Sequence, residues 1–283
     1  LSNAKLRASW GLTGNNRTTT PYDYYYQITT LPGTPESYDY VYNGQIVSGY
    51  APNNLANPNL KWETTEQWNV GLDLSFLDGR VSAAFDVYNK HTRDLLSRRD
   101  LQASTGFTSY TENIGEIGNS GVEGMLSVYL IRNLQKRLIW SLTGKIAYNK
   151  NVILKLSDAL KEDTRKALSE NIELGTLLFE GDPTNAIYAV RSLGIDPSTG
   201  KELYLTKDGE ITETWKSSDR VFLGTYDPKY RGNISSLFQW GGLSLNLSFG
   251  YHFGGYQYNS TLLSKVEINK NMISSGNVDR RVY

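Results

Sequence analysis

Leu243-Ser244-Leu245-Asn246-Leu247-Ser248-Phe249-Gly250-Tyr251-His252-Phe253 alternates without a break. Leu243, Leu245, Leu247, Phe249, Tyr251 and Phe253 share one face. Ser244, Asn246, Ser248, Gly250 and His252 share the other. Side chains of a strand point to opposite faces in turn, so this is a β-strand with one apolar and one polar face. A half-buried strand of a soluble domain runs about 5–6 residues, whereas a strand that crosses a bilayer needs about 9–11. The stretch has the longer length, which predicts a membrane-spanning barrel strand.

The same alternation recurs along the chain. Val70, Leu72, Leu74 and Phe76 alternate with polar residues, Asp78-Gly79 signals a hairpin turn, and Val81, Ala83, Phe85 and Val87 return. Val122, Gly124, Leu126, Val128 and Leu130 read as one face of a further strand. A turn near Asn133 to Lys136 leads back through Leu138, Trp140, Leu142, Gly144, Ile146 and Tyr148. Ile234, Ser236, Phe238 and Trp240 precede Gly241-Gly242 and the stretch quoted above. Leu6, Ala8, Trp10 and Leu12 add an opening strand. The prediction is seven antiparallel strands, joined alternately by tight turns and by long polar connections from Leu12 to Trp62, Leu96 to Gly121 and Asn149 to about Tyr230. Tight turns at one end and long loops at the other are the pattern of outer-membrane barrels, whose long loops face outward. Trp140, Phe238 and Trp240 beside the turns, with Trp62, Trp68, Tyr148, Tyr251 and Phe253 toward the loops, fit two interfacial girdles.

The 150–230 segment reads as a long extracellular insertion with structure of its own. Ser157–Asn171 predicts a short helix capped by Ser157 or Asp158, with Leu160, Thr164, Ala167 and Leu168 on its apolar edge. Two hairpins follow, one turning at Pro197-Ser198-Thr199-Gly200 and one at Lys207-Asp208-Gly209-Glu210.

Composition bounds the function. The 283 residues carry 29 basic and 29 acidic side chains, so no basic footprint marks a nucleic-acid partner. Mean hydropathy is −0.45 and no run approaches a membrane helix, but alternating barrel strands average to a polar composition. With no cysteine, disulfides and thiol ligands are excluded. His91 and His252 are too few for a metal site, which usually needs three or four ligands, and no phosphate-binding loop occurs. Glu63, Glu66 and Asp86 read as pore-lining polar residues rather than glycosidase acids. Asp196-x-Ser198-x-Gly200 reads as a turn rather than a calcium loop. The expectation is a chain with no catalytic residues, no metal and no cofactor.

Several segments resemble one family. Asn57-Pro58-Asn59-Leu60-Lys61-Trp62-Glu63-Thr64-Thr65-Glu66-Gln67 is similar to the N-P-x-L-x-W-E-x-T-x-Q signature of SusC/RagA-type TonB-dependent outer-membrane transporters. Asn113-Ile114-Gly115-Glu116-Ile117-Gly118-Asn119-Ser120-Gly121-Val122-Glu123 is similar to its N-x-G-x-x-x-N-x-G-x-E segment. Lys5 to Asn15, Asp94-Leu95-Leu96 and Asp227-Pro228-Lys229-Tyr230 fit as well, in order and over most of the chain. The resemblance implies a 22-stranded barrel in the bacterial outer membrane closed by an N-terminal plug, energised by the TonB complex and lidded by a SusD-like surface lipoprotein, with oligosaccharide or peptide cargo. Residues 1–283 then read as a C-terminal portion of that barrel, without the plug and without the last strands. A soluble β-rich module for surface glycan binding is the alternative. For cargo contact the candidates are Tyr24, Tyr25, Tyr26, Tyr40 and Tyr42 of the first long loop, which also holds Tyr22, Tyr38 and Tyr50. Tyrosine offers a flat apolar ring and a hydroxyl, suited to stacking on sugars or gripping peptides.

Overall fold

The computed structural model of the chain describes residues 1–15, 24–30, 40–170 and 177–261. Tyr22, Tyr38, Asn171 and everything after 261 lie outside the described residues. Seven strands form one antiparallel meander: β1 (Asn3–Asn15), β2 (Glu63–Phe76), β3 (Val81–Arg93), β4 (Gly115–Asn133), β5 (Leu138–Leu156), β6 (Tyr230–Trp240) and β7 (Leu243–Phe253), each paired with its sequence neighbours. Three short turns sit at one end. Leu77, Asp78 and Gly79 all take positive φ. At the second turn the Asn133 side chain accepts from Lys136 N–H at 3.0 Å, and in the third Gly241 takes φ +59°. All three long connections sit at the opposite end, as the sequence predicts.

Register makes the two faces explicit, because directly paired residues point the same way. One row runs Ala8, Val70, Val87, Val122, Tyr148, Tyr230, Phe253. The next toward the turns runs Leu6, Leu72, Phe85, Gly124, Ile146, Gly232, Tyr251, and the one after it Ala4, Leu74, Ala83, Leu126, Gly144, Ile234, Phe249. No charge interrupts these rows. On the reverse face the same strands carry Lys5, Arg7, Asp73, Asp86, Glu123, Lys145, Arg231 and His252. A soluble sandwich would need a second sheet over the apolar face. Among the described residues nothing covers it, and Leu72, Phe85, Leu126, Ile146, Ile234, Leu245 and Phe249 are exposed.

The ends of the apolar band are aromatic. Tyr148, Tyr230 and Phe253 pack ring on ring in series, the first pair tilted and the second stacked, with centroids 5.3 and 5.0 Å apart, and Trp10 pairs directly with Trp68 one row further up. Near the turns Trp140 pairs with Phe238 and Trp240 with Leu243. Trp140 and Tyr148 are eight residues apart on β5, about 27 Å along a strand. A tilt of roughly 40° reduces that to about 21 Å, close to the ~25 Å apolar band of outer-membrane barrels.

The structure departs from the sequence reading at three places. β4 and β5 are 19 residues each and outrun the sheet beyond Tyr148, the last β5 residue paired with β6. Strand pairing thus continues to Leu156, inside the connection and up to the helix that follows. A bulge between Tyr129 and Ile131 sets Ile131, not Leu130, opposite Trp140. Glu66 does not line the polar face: it shares the Leu12–His91 row at the loop end of the apolar face. There its carboxylate accepts from Trp10 Nε1 and Arg93 Nη2, both at 3.2 Å.

The tightest packing lies where β5 enters the insertion. Ile153, Leu156 and Leu177 are buried, and Ile153 exchanges backbone hydrogen bonds with Gly181 and Asp182 at 2.8 Å, which covers an otherwise open strand edge. The helix α1 (Asp158–Ser169) is N-capped by Ser157, whose Oγ accepts from Leu160 N–H at 3.3 Å. Asp163 on α1 binds Arg99 at 2.9 Å. Buried Ser217 donates to the Ala167 carbonyl at 2.8 Å, and Lys161 meets Glu180 at 2.8 Å. Both expected hairpins form, Arg191–Ile195 with Glu202–Leu205, and the latter with Ile211–Thr212.

Lys161 and the Leu156 N–H together hold the Glu180 carboxyl below its ordinary range. A carboxyl with a lowered folded-state pKa stabilises the fold above its unfolded pKa and loses that contribution as pH falls through the folded one. Hydrogen exchange should therefore show α1 firmly docked at neutral pH and loosened as acid protonates Glu180. Equal protection across that range would contradict this role.

Candidate functional site

The two motifs divide between the long-loop end, where Asn57, Leu60, Asn113 and Gly115 gather, and the polar face of β4, which carries Asn119, Gly121 and Glu123. The first group forms a clasp. Asn57 is buried: its Nδ2 donates to the Thr111 carbonyl at 2.9 Å and its Oδ1 accepts from Asn59 N–H at 3.1 Å. Leu60 N–H closes the turn on the Asn57 carbonyl at 3.1 Å. Pro58, exposed, fixes φ within that turn, and Leu60 is half-buried. Asn113 completes the clasp. Its Oδ1 accepts from Lys61 N–H at 2.9 Å, and its Nδ2 donates to the Lys61 carbonyl at 2.9 Å and the Asp94 carbonyl at 2.7 Å. One amide thus ties three backbone groups from two connections together. Gly115 takes φ +150° and lies so close to β5 that a Cβ would sit 2.0 Å from the Lys155 carbonyl. Trp62 is exposed and lies over Gly14 of β1. Glu63 accepts from Asn15 Nδ2 at 3.4 Å.

Asn119, Gly121 and Glu123 belong to the polar face of β4. Asn119 Oδ1 accepts from Asn149 at 3.3 Å and Asn151 at 3.1 Å. Tyr88 of β3 reaches across β4 to donate to Asn149 Oδ1 at 2.9 Å. Its ring occupies the space a Cβ at Gly121 would need, 2.5 Å from the hydroxyl. A parallel device lies nearer the turns, where Arg7 of β1 binds Asp73 at 2.8 Å and crosses over Gly71 to reach Asp86 at 3.0 Å. A Cβ at Gly71 would lie 2.5 Å from Asp86 Oδ1. Glycine on the polar face thus opens a path for a long side chain to staple three strands. Nothing in the local sequence of Arg7, Tyr88 or Asn149 reveals these links; the one signal is a strand glycine flanked in register by a long polar residue.

The concave polar face holds a hollow of about 1330 Å³ bounded by Asp86, Glu123, Lys145, Arg231, Asn233 and His252. Such a surface offers hydrogen bonds and mixed charge to a polar solute and contains no nucleophile paired with a base. Among the described residues no cluster of three or more His, Asp or Glu is arranged for a metal.

Tyr24, Tyr25, Tyr26, Tyr40 and Tyr42 are all exposed. Tyr24 and Tyr25 rings lie 4.2 Å apart. The Tyr25 carbonyl is held by Asn54 Nδ2 at 3.0 Å, and Gln27 N–H by Asn54 Oδ1 at 2.8 Å. Tyr40 and Tyr42 stand on a small hairpin, Tyr40–Tyr42 with Gln45–Val47, whose Asn43-Gly44 turn takes φ +51° and +75°. The two groups belong to one loop but to separate local units.

The family model described as "TonB dependent receptor-like, beta-barrel" matches residues 2–276. The chain is similar to TonB-dependent receptor P3 of Formosa agariphila, 31% identical over 92% of this chain and 26% of that protein. It is also similar to TonB-dependent receptor SusC of Bacteroides thetaiotaomicron, 33% identical over 62% of this chain and 17% of that one. Among solved structures, the RagAB peptide importer in its "closed-closed" state superposes with a TM-score of 0.77 at 26% identity, covering 96% of this chain and 29% of that chain. The chain thus spans about a quarter or less of the length of these curated relatives.

Proposed function

Because the chain belongs to the TonB-dependent receptor-like β-barrel family of outer-membrane proteins, we propose that it forms part of the wall and outer loops of an importer for oligosaccharides or peptides. The apolar rows face lipid, the polar face lines the passage around a plug, and the long loops lie outside the cell. A SusD-like surface lipoprotein closes over those loops, and TonB drives the cycle through a part of the importer outside this chain. The observation that carries this reading is the seven-stranded meander itself: one uninterrupted apolar face, one charged face, and loops sorted to one end. Lipid tolerates no unpaired strand edge, so the edges of β1 and β7 that are open among the described residues join further strands of a larger barrel. The chain works by shape and surface and performs no chemistry.

Fractionation of the producing cells tests this. The protein should sediment with the outer membrane and co-purify with a surface lipoprotein, and its deletion should abolish growth on an imported oligosaccharide or peptide. A soluble, partnerless protein would sink the reading. Replacing Tyr24, Tyr25 and Tyr26 together by Ala should lower uptake several-fold while leaving outer-membrane assembly intact, because the three rings are exposed and lie outside the seven-stranded sheet. Unchanged uptake and binding would exclude them from cargo contact.

A further inference from the structure

The clasp has a by-product. By pinning the first loop to the hairpin Leu96–Asp100/Ser109–Asn113, it leaves a cleft of about 210 Å³ between them. That is room for one sugar ring or one amino-acid residue. Asn53 and Asn54 line one wall, Arg98, Thr108 and Ser109 another, and Phe107 gives it an apolar side. Arg98 is the unusual member. Its Nε donates to Ser109 Oγ, which orients the guanidinium. Among the described residues its two Nη groups have no hydrogen-bond partner, and no carboxylate lies within ion-pair distance. The neighbouring Arg99 takes Asp163 instead. A guanidinium fixed through Nε presents a planar fork that matches a carboxylate with two parallel hydrogen bonds. Among the described residues the Thr108 hydroxyl and Asn53 Oδ1 take part in no other hydrogen bond, and both line the cleft, where they offer hydrogen bonds to groups beside that carboxylate.

We propose that this cleft is a subsite for a carboxylate on the imported cargo, with the Arg98 Nη atoms as its fork and Phe107 as the apolar wall beside it. The proposal rests on the importer reading and narrows its substrate class. The carboxylate has two possible sources, a uronic-acid ring or a peptide C-terminus, and both present the same group. Asn54, which lines the cleft, also holds the Tyr25 carbonyl, so the tyrosine trio stands next to the subsite.

The test is equilibrium binding to the intact, detergent-purified outer-membrane protein, which separates binding from transport. Two matched pairs serve as probes: trigalacturonate against its methyl ester, and N-acetyl-trialanine against its amide. In at least one pair the acid should bind about tenfold or more tightly than its neutral partner, the scale of a charge-assisted hydrogen-bond pair. Arg98→Gln should collapse that ratio to about one, and Arg98→Lys should restore part of it as a point charge without the fork. Discrimination in the sugar pair alone assigns the uronate, and in the peptide pair alone the C-terminus. The ratio is internal to each variant, so general loosening of the loop lowers both members and leaves it unchanged. Equal binding of acid and neutral partner in both pairs, or discrimination that survives Arg98→Gln, would overturn the subsite. Loss of uptake in cells with this discrimination intact would instead count against the importer reading.

Discussion

Phe249→Arg should destabilise the folded outer-membrane protein by about 2–4 kcal/mol, the cost of an arginine near the bilayer midplane, and reduce the folded fraction accordingly. Phe249 stands near the middle of β7 in the row Ile234, Gly144, Leu126, Ala83, Leu74. No acidic residue lies in that row to pair with the new cation, and in hydrocarbon water cannot solvate it. Ser248→Arg, one residue earlier, adds the same charge and volume to the polar face, opposite Ser235. Its effect should stay within about 0.5 kcal/mol, as for an ordinary exposed substitution. Unfolding in denaturant, followed by the mobility difference between folded and unfolded barrel, measures both. A similar loss at the two positions would mean that the faces are not lipid and water.

Gly115→Ala should be the most damaging small change at the loop end. The added Cβ falls 2.0 Å from the Lys155 carbonyl, and φ +150° disfavours any L side chain. Strain of about 1–3 kcal/mol from the backbone alone adds to the overlap. Asn113→Leu should act on the same clasp by a different route, since it removes the exposed bonds to Lys61 N–H and C=O and the part-buried bond to Asp94 C=O, with the last loss costing about 1 kcal/mol or more. Both variants should free the first loop and the Leu96–Asn113 hairpin while the strands stay assembled. Limited proteolysis of intact cells reads this directly: rapid cleavage within 40–62 or 96–113 in the variants, slow in the parent. Identical cleavage patterns would show that these motif residues serve something other than the clasp.

The strands are legible because alternation at period two survives wherever one face meets an apolar phase, and the tight turns because Asp78-Gly79 and Gly241, which take positive φ, are turn residues. The outer ends of β4 and β5 are not. Gly115 to Ser120 hold only Ile117 as an apolar residue, Asn149 to Asn151 are polar on both faces, and Val152 to Leu156 are apolar on both apart from Lys155, so period two carries no signal there. The bulge between Tyr129 and Ile131 leaves no trace in sequence, because Tyr129-Leu130-Ile131 is an apolar run in which an extra residue does not disturb the pattern. Glu66 looked like a pore residue because charge alone suggests water, whereas at the rim of the apolar face Trp10 and Arg93 engage it. The motif identified the family but not the clasp. Asn57 and Thr111 are 54 residues apart, and no local pattern connects them. The Arg98 cleft was invisible for the same reason, since its walls come from separate connections.

The most direct test of the two-faced wall uses the absence of cysteine from the chain. Single cysteines at successive positions from Ser244 to Phe249, each carrying a nitroxide label in the intact protein in its outer membrane, report contact with lipid-soluble oxygen and with a water-soluble nickel chelate. The account predicts high oxygen accessibility at positions 245, 247 and 249, high chelate accessibility at 244, 246 and 248, and the two profiles alternating out of phase. Chelate access to 245, 247 and 249, or two profiles rising and falling together, would contradict it.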